Sequence, residues 1–161
     1  DKTGSLIAAA AQSGAFFAGA GDEYREPLRV YGEKVGVAFQ LADDVIDLSA
    51  NAEATGKVPG TDLRAGVVTM PYLLLKTSDD PADVDLARRI DEGAEAIRQG
   101  ADPSVLDREI AELRDHAVTA RTHQLALDWT NEAVDALKAL PRGTVREALT
   151  RFARQLADRD A

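Results

Sequence analysis

The sequence has 161 residues, enough for one domain with a sizeable core, and 45% of them are apolar while only 5% are aromatic. Its formal net charge of −9 leaves no basic stripe to neutralise phosphates, which excludes nucleic acid and anionic membranes as expected partners. The absence of cysteine excludes disulfides and thiolate metal sites and favours a cytoplasmic protein. No apolar run is long enough to predict a transmembrane segment.

The fold class predicted by the sequence is all-α. Ala, Leu and Val supply most of the apolar residues, a composition that favours packed helices over a β-sandwich. Residues 1–161 are expected to form a single all-helical segment. The chain starts at Asp1 without a methionine and leads at once into an apolar stretch, so we expect it to begin partway through a larger protein.

Helical segments follow one another along the chain. The first, from Leu6 to Ala18, is apolar on all sides and is expected to be buried. The second has Asp22 as its N-cap and runs to about Leu48, and a long loop, either functional or disordered, is expected over residues 49–66. The remaining segments are a short helix over Tyr72 to Lys76 capped by Thr69, a helix from Pro81 to near Gly100, a long helical stretch from Asp102-Pro103 to Leu140, and a last helix from Thr144 to about Ala157.

The second helix carries a narrow polar face. At about 100° per residue, Gln40, Asp43, Asp44 and Asp47 fall on one side of it, and we call these four residues the acidic stripe. Most of the remaining circumference is apolar. Like charges in apolar surroundings repel one another and resist desolvation, and a bound cation would relieve both penalties. Mg²⁺ suits this site because it prefers a few carboxylates combined with waters and phosphate oxygens.

Gly32 and Gly36 continue the acidic stripe towards the N-terminus of the helix. Small residues there either leave space beside the carboxylates or allow another helix to approach closely. The sequence leaves both alternatives open.

The Asp-Asp-x-x-Asp spacing occurs a second time, at Asp79, Asp80 and Asp83. There it lies in a Ser/Pro turn without apolar flanks, and we interpret it as a helix start with Asp80 as N-cap and Pro81 in the first turn. Spacing alone is therefore weak support for a metal site, and the apolar surroundings must decide. The alternative interpretation of the acidic stripe is an ordinary solvated face.

Lysines and histidines give weaker signals. Lys57 follows the acidic stripe in a glycine-rich loop, where close backbone approach favours a contact with phosphate over an ordinary surface role. Lys2 and Thr3 are equally compatible with a solvated role. His116 and His123 are interpreted as surface residues.

Residues 1 to about 75 contain an ordered set of short motifs: Lys2-Thr3-Gly4, Phe39-Gln40, Asp43-Asp44-Val45-Ile46-Asp47, Gly56-Lys57, Gly60-Thr61-Asp62-Leu63 and Thr69-Met70-Pro71. This ordered set resembles the trans-polyprenyl diphosphate synthases. The later helices are similar to the C-terminal helices of that family in a general way. The resemblance implies the C-terminal helices of the isoprenoid synthase helical bundle, with this chain as the C-terminal half of a larger domain.

The family's activity is Mg²⁺-dependent elongation of an allylic prenyl diphosphate with isopentenyl diphosphate. By resemblance, Asp43, Asp44 and Asp47 are its second aspartate-rich motif, which holds Mg²⁺ against the allylic diphosphate. The resemblance also implies a homodimer of the full protein.

The resemblance implies roles for four further residues. Lys2 and Lys57 are similar to the lysines that neutralise the departing diphosphate. Thr3 and Gln40 are similar to the polar groups beside the forming allylic cation. This chemistry needs positive charge beside the departing diphosphate, and it needs apolar walls that keep water from the allylic cation.

The chain departs from the family pattern in two respects. The first aspartate-rich motif and the basic residues that bind isopentenyl diphosphate are not found in it, so we expect this segment to be inactive alone. Val67 stands near a position where many members have a lysine, although valine occurs there in some long-chain synthases. The resemblance is compatible with a bacterial long-chain member of the family.

Three alternatives remain open at this point. One is a related terpene cyclase or squalene-synthase-like enzyme, against which the Gly56-Lys57 and Gly60-Thr61-Asp62-Leu63 loop argues. Another is a noncatalytic or split subunit of a prenyl synthase complex. The last is an acidic helical domain without a ligand.

Overall fold

The structure is a computed structural model that describes residues 2–49 and 58–157. Within these ranges it is all-α and contains no strand, which confirms the predicted fold class. None of the helices described there is long and apolar enough to cross a membrane. The helices are α1 (Lys2–Phe17), α2 (Arg25–Asp47), α3 (Thr61–Arg64), α4 (Met70–Lys76), α5 (Pro81–Arg98), α6 (Asp107–Arg114), α7 (Ala117–Ala136) and α8 (Thr144–Ala157), with 3-10 turns at Asp22–Tyr24, Pro103–Leu106 and Leu137–Ala139.

The chain divides into two compact units. The first consists of the described residues up to Ala42 and from Gln124 onwards, and the second consists of the described residues from Asp43 to His123. Helix α2 therefore contributes to both units, and the three aspartates of the acidic stripe belong to the second.

In the first unit, α1 and α2 approach each other closely through glycine. A Cβ atom placed on Gly32 would lie 2.4 Å from the Cα atom of Ala8, and one placed on Gly36 would lie 2.3 Å from the Cα atom of Gly4. These distances leave no room for a side chain. Of the two roles that the sequence left open for Gly32 and Gly36, close helix approach is the one observed.

The prediction that α1 is buried on all sides is wrong for the described structure. Ala8 and Ala15 are buried, whereas Leu6 is 62% exposed, Phe16 58% and Phe17 85%. Because α1 meets α2 through glycine and alanine, the contact fully buries small residues of α1, while Ile7 is partly buried and Leu6, Phe16 and Phe17 lie outside.

The start of α2 also differs from the prediction. Asp22 was expected to cap this helix, but it opens a 3-10 turn whose N-cap position is held by Gly21. Its carboxylate instead lies 2.9 Å from the guanidinium of Arg25, the first residue of α2. Asp22 therefore marks the start of the preceding 3-10 turn, and α2 begins three residues later at Arg25.

The first unit is closed by contacts between α2, α7 and α8. Tyr31, Val35, Ala133, Leu137 and Ala153 form part of its core. The hydroxyl of Tyr31 donates a hydrogen bond of 2.8 Å to the carbonyl oxygen of Leu149, and burial raises the pKa of this phenol to about 12.

The second unit has its own core, beneath the end of α2. It contains Leu48, which directly follows α2, and Leu63, Leu75, Ile90 and Leu113, which come from α3 to α6. Charged groups reinforce the packing of α5 on α6, because the Arg89 guanidinium contacts Glu109 at 2.8 Å and Glu112 at 2.9 Å.

The second copy of the aspartate spacing forms a helix start, as predicted. Asp80 accepts a hydrogen bond of 2.8 Å from the N–H of Ala82, and Pro81 is the first residue of α5. Asp83 lies 3.1 Å from Nε2 of His116. His116 is thus a partly buried link between α5 and the start of α7, where its Nδ1 accepts from the N–H of Val118, and its interpretation as a simple surface residue is wrong.

Replacing Gly36 with alanine is expected to lower the free energy of unfolding by about 1–3 kcal/mol, because the added methyl group meets main-chain atoms of α1 that cannot move aside cheaply. Gly14→Ala is the matched control, since a Cβ atom at that position in α1 has no neighbour within 4 Å. The control is expected to leave stability unchanged or raise it by up to about 1 kcal/mol. Equal effects of the two substitutions in denaturant unfolding would contradict the close contact.

Candidate functional site

The end of α2 and the turn that leads into α3 enclose a pocket of about 540 Å³ in the second unit. We call it the acidic pocket, and we call residues 58–62, which are the turn and the first two residues of α3, the Gly60 turn. Carboxylates and apolar groups share the pocket wall. The lining residues are Asp43, Ile46, Asp47, Ser49, Val58, Pro59, Thr61, Asp62, Arg64 and Pro103.

The carboxylates of the acidic pocket are not the set that the sequence predicted. Asp43 and Asp47 line it as members of the acidic stripe, and Asp62 lines it from the Gly60 turn, whereas Asp44 is not among the lining residues. Asp62 was missed as a pocket carboxylate, although its Gly-Thr-Asp-Leu motif was noted. Among the described residues, no group of three or more histidine or carboxylate side chains is arranged to hold a metal ion. Metal binding by Asp43, Asp44 and Asp47 therefore stays a prediction.

Asp47 ties the Gly60 turn to the end of α2. Its carbonyl oxygen accepts a hydrogen bond of 2.6 Å from the N–H of Gly60, and its carboxylate accepts one of 3.2 Å from the N–H of Asp62. Gly60 has a φ of +70°, and a Cβ atom there would lie 2.4 Å from Cδ1 of Ile110. Only glycine combines this left-handed conformation with so close a neighbour.

The same arrangement shortens the predicted loop. Residues 49–66 were expected to lack regular structure, but Thr61–Arg64 form α3, which begins directly after Gly60. The Thr61 hydroxyl donates a hydrogen bond of 2.7 Å to the carbonyl oxygen of Val58 and so closes the turn from the other side. The described part of the loop is therefore an ordered wall of the acidic pocket.

Opposing influences act on the Asp47 carboxyl. Burial is the largest of them and raises its pKa, and the negative charges of Asp62 and Asp43 raise it further. The backbone N–H groups of Asp62 and Thr61 act in the opposite direction, but the net result is a raised pKa. A cation beside Asp47 would relieve both the burial cost and the repulsion.

Asp44 has a structural partner of its own. It is only 9% exposed, and its Oδ2 atom accepts a hydrogen bond of 2.8 Å from the N–H of Met70, the first residue of α4. Thr69 holds the N-cap position of α4 but makes no side-chain capping bond, and its buried hydroxyl has no hydrogen-bond partner among the described residues. Thr69 is therefore at the predicted N-cap position, but the side-chain hydrogen bond that caps the helix comes from Asp44.

The other predicted site residues are placed less fully. Gln40 is exposed on α2 and, like Thr3 on α1, belongs to the first unit. Lys57 lies outside the described residues, as does the side chain of Lys2. The catalytic and diphosphate-binding roles of these four residues stay predictions.

Comparison with known proteins gives a consistent family. A family profile described as polyprenyl synthetase matches residues 1–106. The chain is 35% identical to an octaprenyl diphosphate synthase from Haemophilus influenzae, over 99% of this chain and 46% of that protein. It is 39% identical to a nonaprenyl diphosphate synthase from Mycobacterium tuberculosis, over 92% of this chain and 43% of that protein. It is also 31% identical, over 99% of this chain and 47% of that protein, to a heptaprenyl diphosphate synthase component 2 from Geobacillus stearothermophilus.

Solved structures agree with the sequence relatives. A geranylgeranyl pyrophosphate synthase from Corynebacterium glutamicum, complexed with calcium and isoprenyl diphosphate, superposes with a TM-score of 0.80 at 31% identity, covering 98% of this chain and 47% of that one. A polyprenyl synthase from Caulobacter crescentus with the same ligands gives 0.81 at 33% identity, covering 97% and 46%. The chain thus spans about half the length of the relatives that it matches.

Asp44 and Asp43 are expected to differ in their effect on stability. Asp44→Ala removes the cap of α4 and should lower the free energy of unfolding by about 0.5–2 kcal/mol. Asp43→Ala removes an exposed charge beside Asp47 and should leave the metal-free protein equally stable or slightly more stable. Denaturant unfolding of both variants tests this, and a larger loss for Asp43→Ala would refute the assignment of the cap to Asp44.

The raised pKa of Asp47 predicts a particular pH dependence. An acid whose pKa is higher in the folded state than its ordinary value of 3.8 loses folding stability as pH rises through that interval, because the folded state holds the proton more tightly. Without metal, Asp47→Asn should therefore melt higher than wild type at pH 7, and the difference should shrink as pH falls below the ordinary value.

Asp85→Asn is the control with the opposite sign. Hydrogen bonds from Arg88 and then Arg89 lower the pKa of Asp85, so its contribution is present at pH 7 and is lost as pH falls. This variant should melt lower than wild type at pH 7. Melting curves in which both variants shift in the same direction at pH 7 would contradict the environment described for Asp47.

Proposed function

The chain belongs to the polyprenyl synthetase family, and we propose that the protein of which it is part is a prenyltransferase that elongates an allylic prenyl diphosphate with isopentenyl diphosphate. The observation that carries this proposal is the acidic pocket, in which Asp43, Asp47 and Asp62 meet apolar groups of Ile46 and Val58. A site for a diphosphate on a prenyl chain needs both kinds of surface. The calcium and isoprenyl diphosphate bound in two solved relatives support the same ligand class.

The donors of the acidic pocket fit Mg²⁺. Asp43 is exposed and Asp47 is half-buried with a raised pKa, so both offer carboxylate oxygens on the pocket wall where a cation would offset negative charge. Asp62 lies beside them. Of the three aspartates predicted from the sequence, we propose Asp43 and Asp47 as direct ligands, and Asp44 as the member whose Oδ2 atom is engaged with α4. Bound Mg²⁺ would supply positive charge to the diphosphate oxygens.

The chain's own groups would bind and orient the substrate around this site. Ile46, Val58 and Pro59 give the pocket an apolar wall. This wall would help to keep water from a reactive prenyl group. Lys2 and Lys57 are proposed to neutralise the diphosphate, each as a point charge.

Thr3 and Gln40 are proposed to lie beside the allylic group, as the family resemblance implies. Their side chains carry oxygen atoms that can face a developing positive charge. Neutral oxygen atoms suit this role, because an anionic group could bond to the cation before the new carbon–carbon bond to isopentenyl diphosphate forms.

We further propose that residues 1–161 are the C-terminal part of one larger helical domain, in a cytoplasmic homodimer. The exposed side chains of Leu6, Phe16 and Phe17 on α1 are the kind of apolar surface that further helices cover. The length of the matched relatives, about twice that of this chain, supports the same proposal.

A second candidate function is a subunit of a two-component prenyl synthase. The relative from Geobacillus stearothermophilus that bears the name component 2 favours it. The two candidates separate by reconstitution: the purified whole protein elongates a prenyl diphosphate by itself under the first, and only after a different chain is added under the second.

The proposed site predicts a sharp difference between the two copies of the aspartate spacing. In the whole protein, Asp43→Ala should lower kcat/KM for isopentenyl diphosphate incorporation by at least about 100-fold. The substitution removes a ligand of the cation whose charge stabilises the departing diphosphate. Asp79→Ala is the matched control, because Asp79 belongs to the helix-start copy, and it should change kcat/KM by less than about twofold. Similar activities of the two variants would refute the proposed site.

A further inference from the structure

Arg64, the last residue of α3, lies against the acidic pocket with its side chain only 10% exposed. Its guanidinium makes three contacts. Nε donates a hydrogen bond of 3.1 Å to the carbonyl oxygen of Pro59, a second nitrogen donates to the carbonyl oxygen of Pro103, and the third lies 2.7 Å from the carboxylate of Asp107. No role was predicted for this arginine from the sequence.

These contacts complete the support of the Gly60 turn. On one side, Asp47 accepts the N–H groups of Gly60 and Asp62. On the other side, Arg64 joins the carbonyl oxygen of Pro59 to the segment that leads into α6. The turn is thus held between the end of α2 and the start of α6, and the carboxylate of Asp47 is held with it.

The two carbonyl contacts matter more than the ion pair. Asp107 is 67% exposed, and an ion pair with so exposed a partner contributes little. The carbonyl oxygens of Pro59 and Pro103 need donors at two separate places, which the planar fork of a guanidinium supplies and a single ammonium group does not. Lysine is therefore a poor replacement for Arg64.

We infer that Arg64 is a positioning residue for metal-diphosphate binding: it fixes the Gly60 turn so that Asp47 presents its carboxylate to the acidic pocket. This inference rests on the proposed function, in which Asp47 is a ligand of the cation. Arg64 acts through Pro59, Gly60 and Asp62 and need not touch substrate.

The test measures cation binding directly in the whole protein. Mn²⁺, which accepts the same oxygen ligands as Mg²⁺, is titrated in the presence of inorganic diphosphate, and free Mn²⁺ is followed by its electron paramagnetic resonance signal. Arg64→Gln and Arg64→Lys should each weaken binding, Arg64→Gln by roughly 10-fold, and Asp107→Asn by less than about threefold. Arg98→Gln is the control, because Arg98 is 68% exposed and pairs only with Glu95 of its own helix among the described residues, and its affinity should equal that of wild type.

A merely structural role for Arg64 would give a different pattern. It would lower the melting temperature and the folded fraction while leaving the Mn²⁺ affinity of the folded protein unchanged, and that result overturns the inference. Combination with Asp47→Asn gives a second criterion. If Arg64 acts through Asp47, Arg64→Gln weakens Mn²⁺ binding much less in the Asp47→Asn background than in wild type, whereas equal effects in both backgrounds overturn the inference. If Arg64→Gln yields no folded protein, Arg64→Lys is judged by the same two criteria.

The outcome also separates this inference from the proposed function. If Asp43→Ala abolishes Mn²⁺ binding while Arg64→Gln leaves it unchanged, only the positioning role is lost. If wild type and Asp43→Ala bind Mn²⁺ with diphosphate equally well, the proposed function fails as well.

Discussion

The second unit depends on one constraint: residue 47 must accept two main-chain hydrogen bonds from the turn that follows it. The carbonyl oxygen of Asp47 receives the N–H of Gly60, and its carboxylate receives the N–H of Asp62. Leu48 and Leu63, on either side of this junction, are buried in the core below. The packing therefore brings three carboxylates to one pocket, although their mutual repulsion and the burial of Asp47 oppose it. A fold that accepts such a cost at a pocket is typical of a binding site.

The three aspartates of the acidic stripe have different surroundings and different contacts. Asp43 is exposed at the pocket, Asp47 is half-buried and holds the Gly60 turn, and Asp44 is buried where it caps α4. One turn of helix thus joins a ligand surface to two structural ties. The same three-aspartate spacing at Asp79 lies at a helix start instead, where Asp80 caps α5 and Asp83 contacts His116.

Local signals in the sequence predicted local structure well. The all-α class and the Asp80 cap follow from propensity and capping, which act within a few positions. The role of Gly32 and Gly36 stayed open between two alternatives, because close helix approach depends on Ala8 and Gly4 of another helix. The contact of Asp44 with Met70 joins residues far apart in the sequence, and so does the contact of Arg64 with Asp107. Tertiary packing decides such pairs, so neither spacing nor periodicity revealed them. The exposed side of α1 was missed because an apolar helix and a buried helix look alike in sequence.

The central claim is that the acidic pocket binds a divalent cation together with diphosphate. Thermal unfolding of the whole protein tests it most directly, since a ligand that binds only the folded state raises the melting temperature. Mg²⁺ and inorganic diphosphate together should raise the melting temperature of wild type more than either does alone, and should not raise that of Asp43→Ala. An absent shift in wild type, or an equal shift in the variant, would contradict the account.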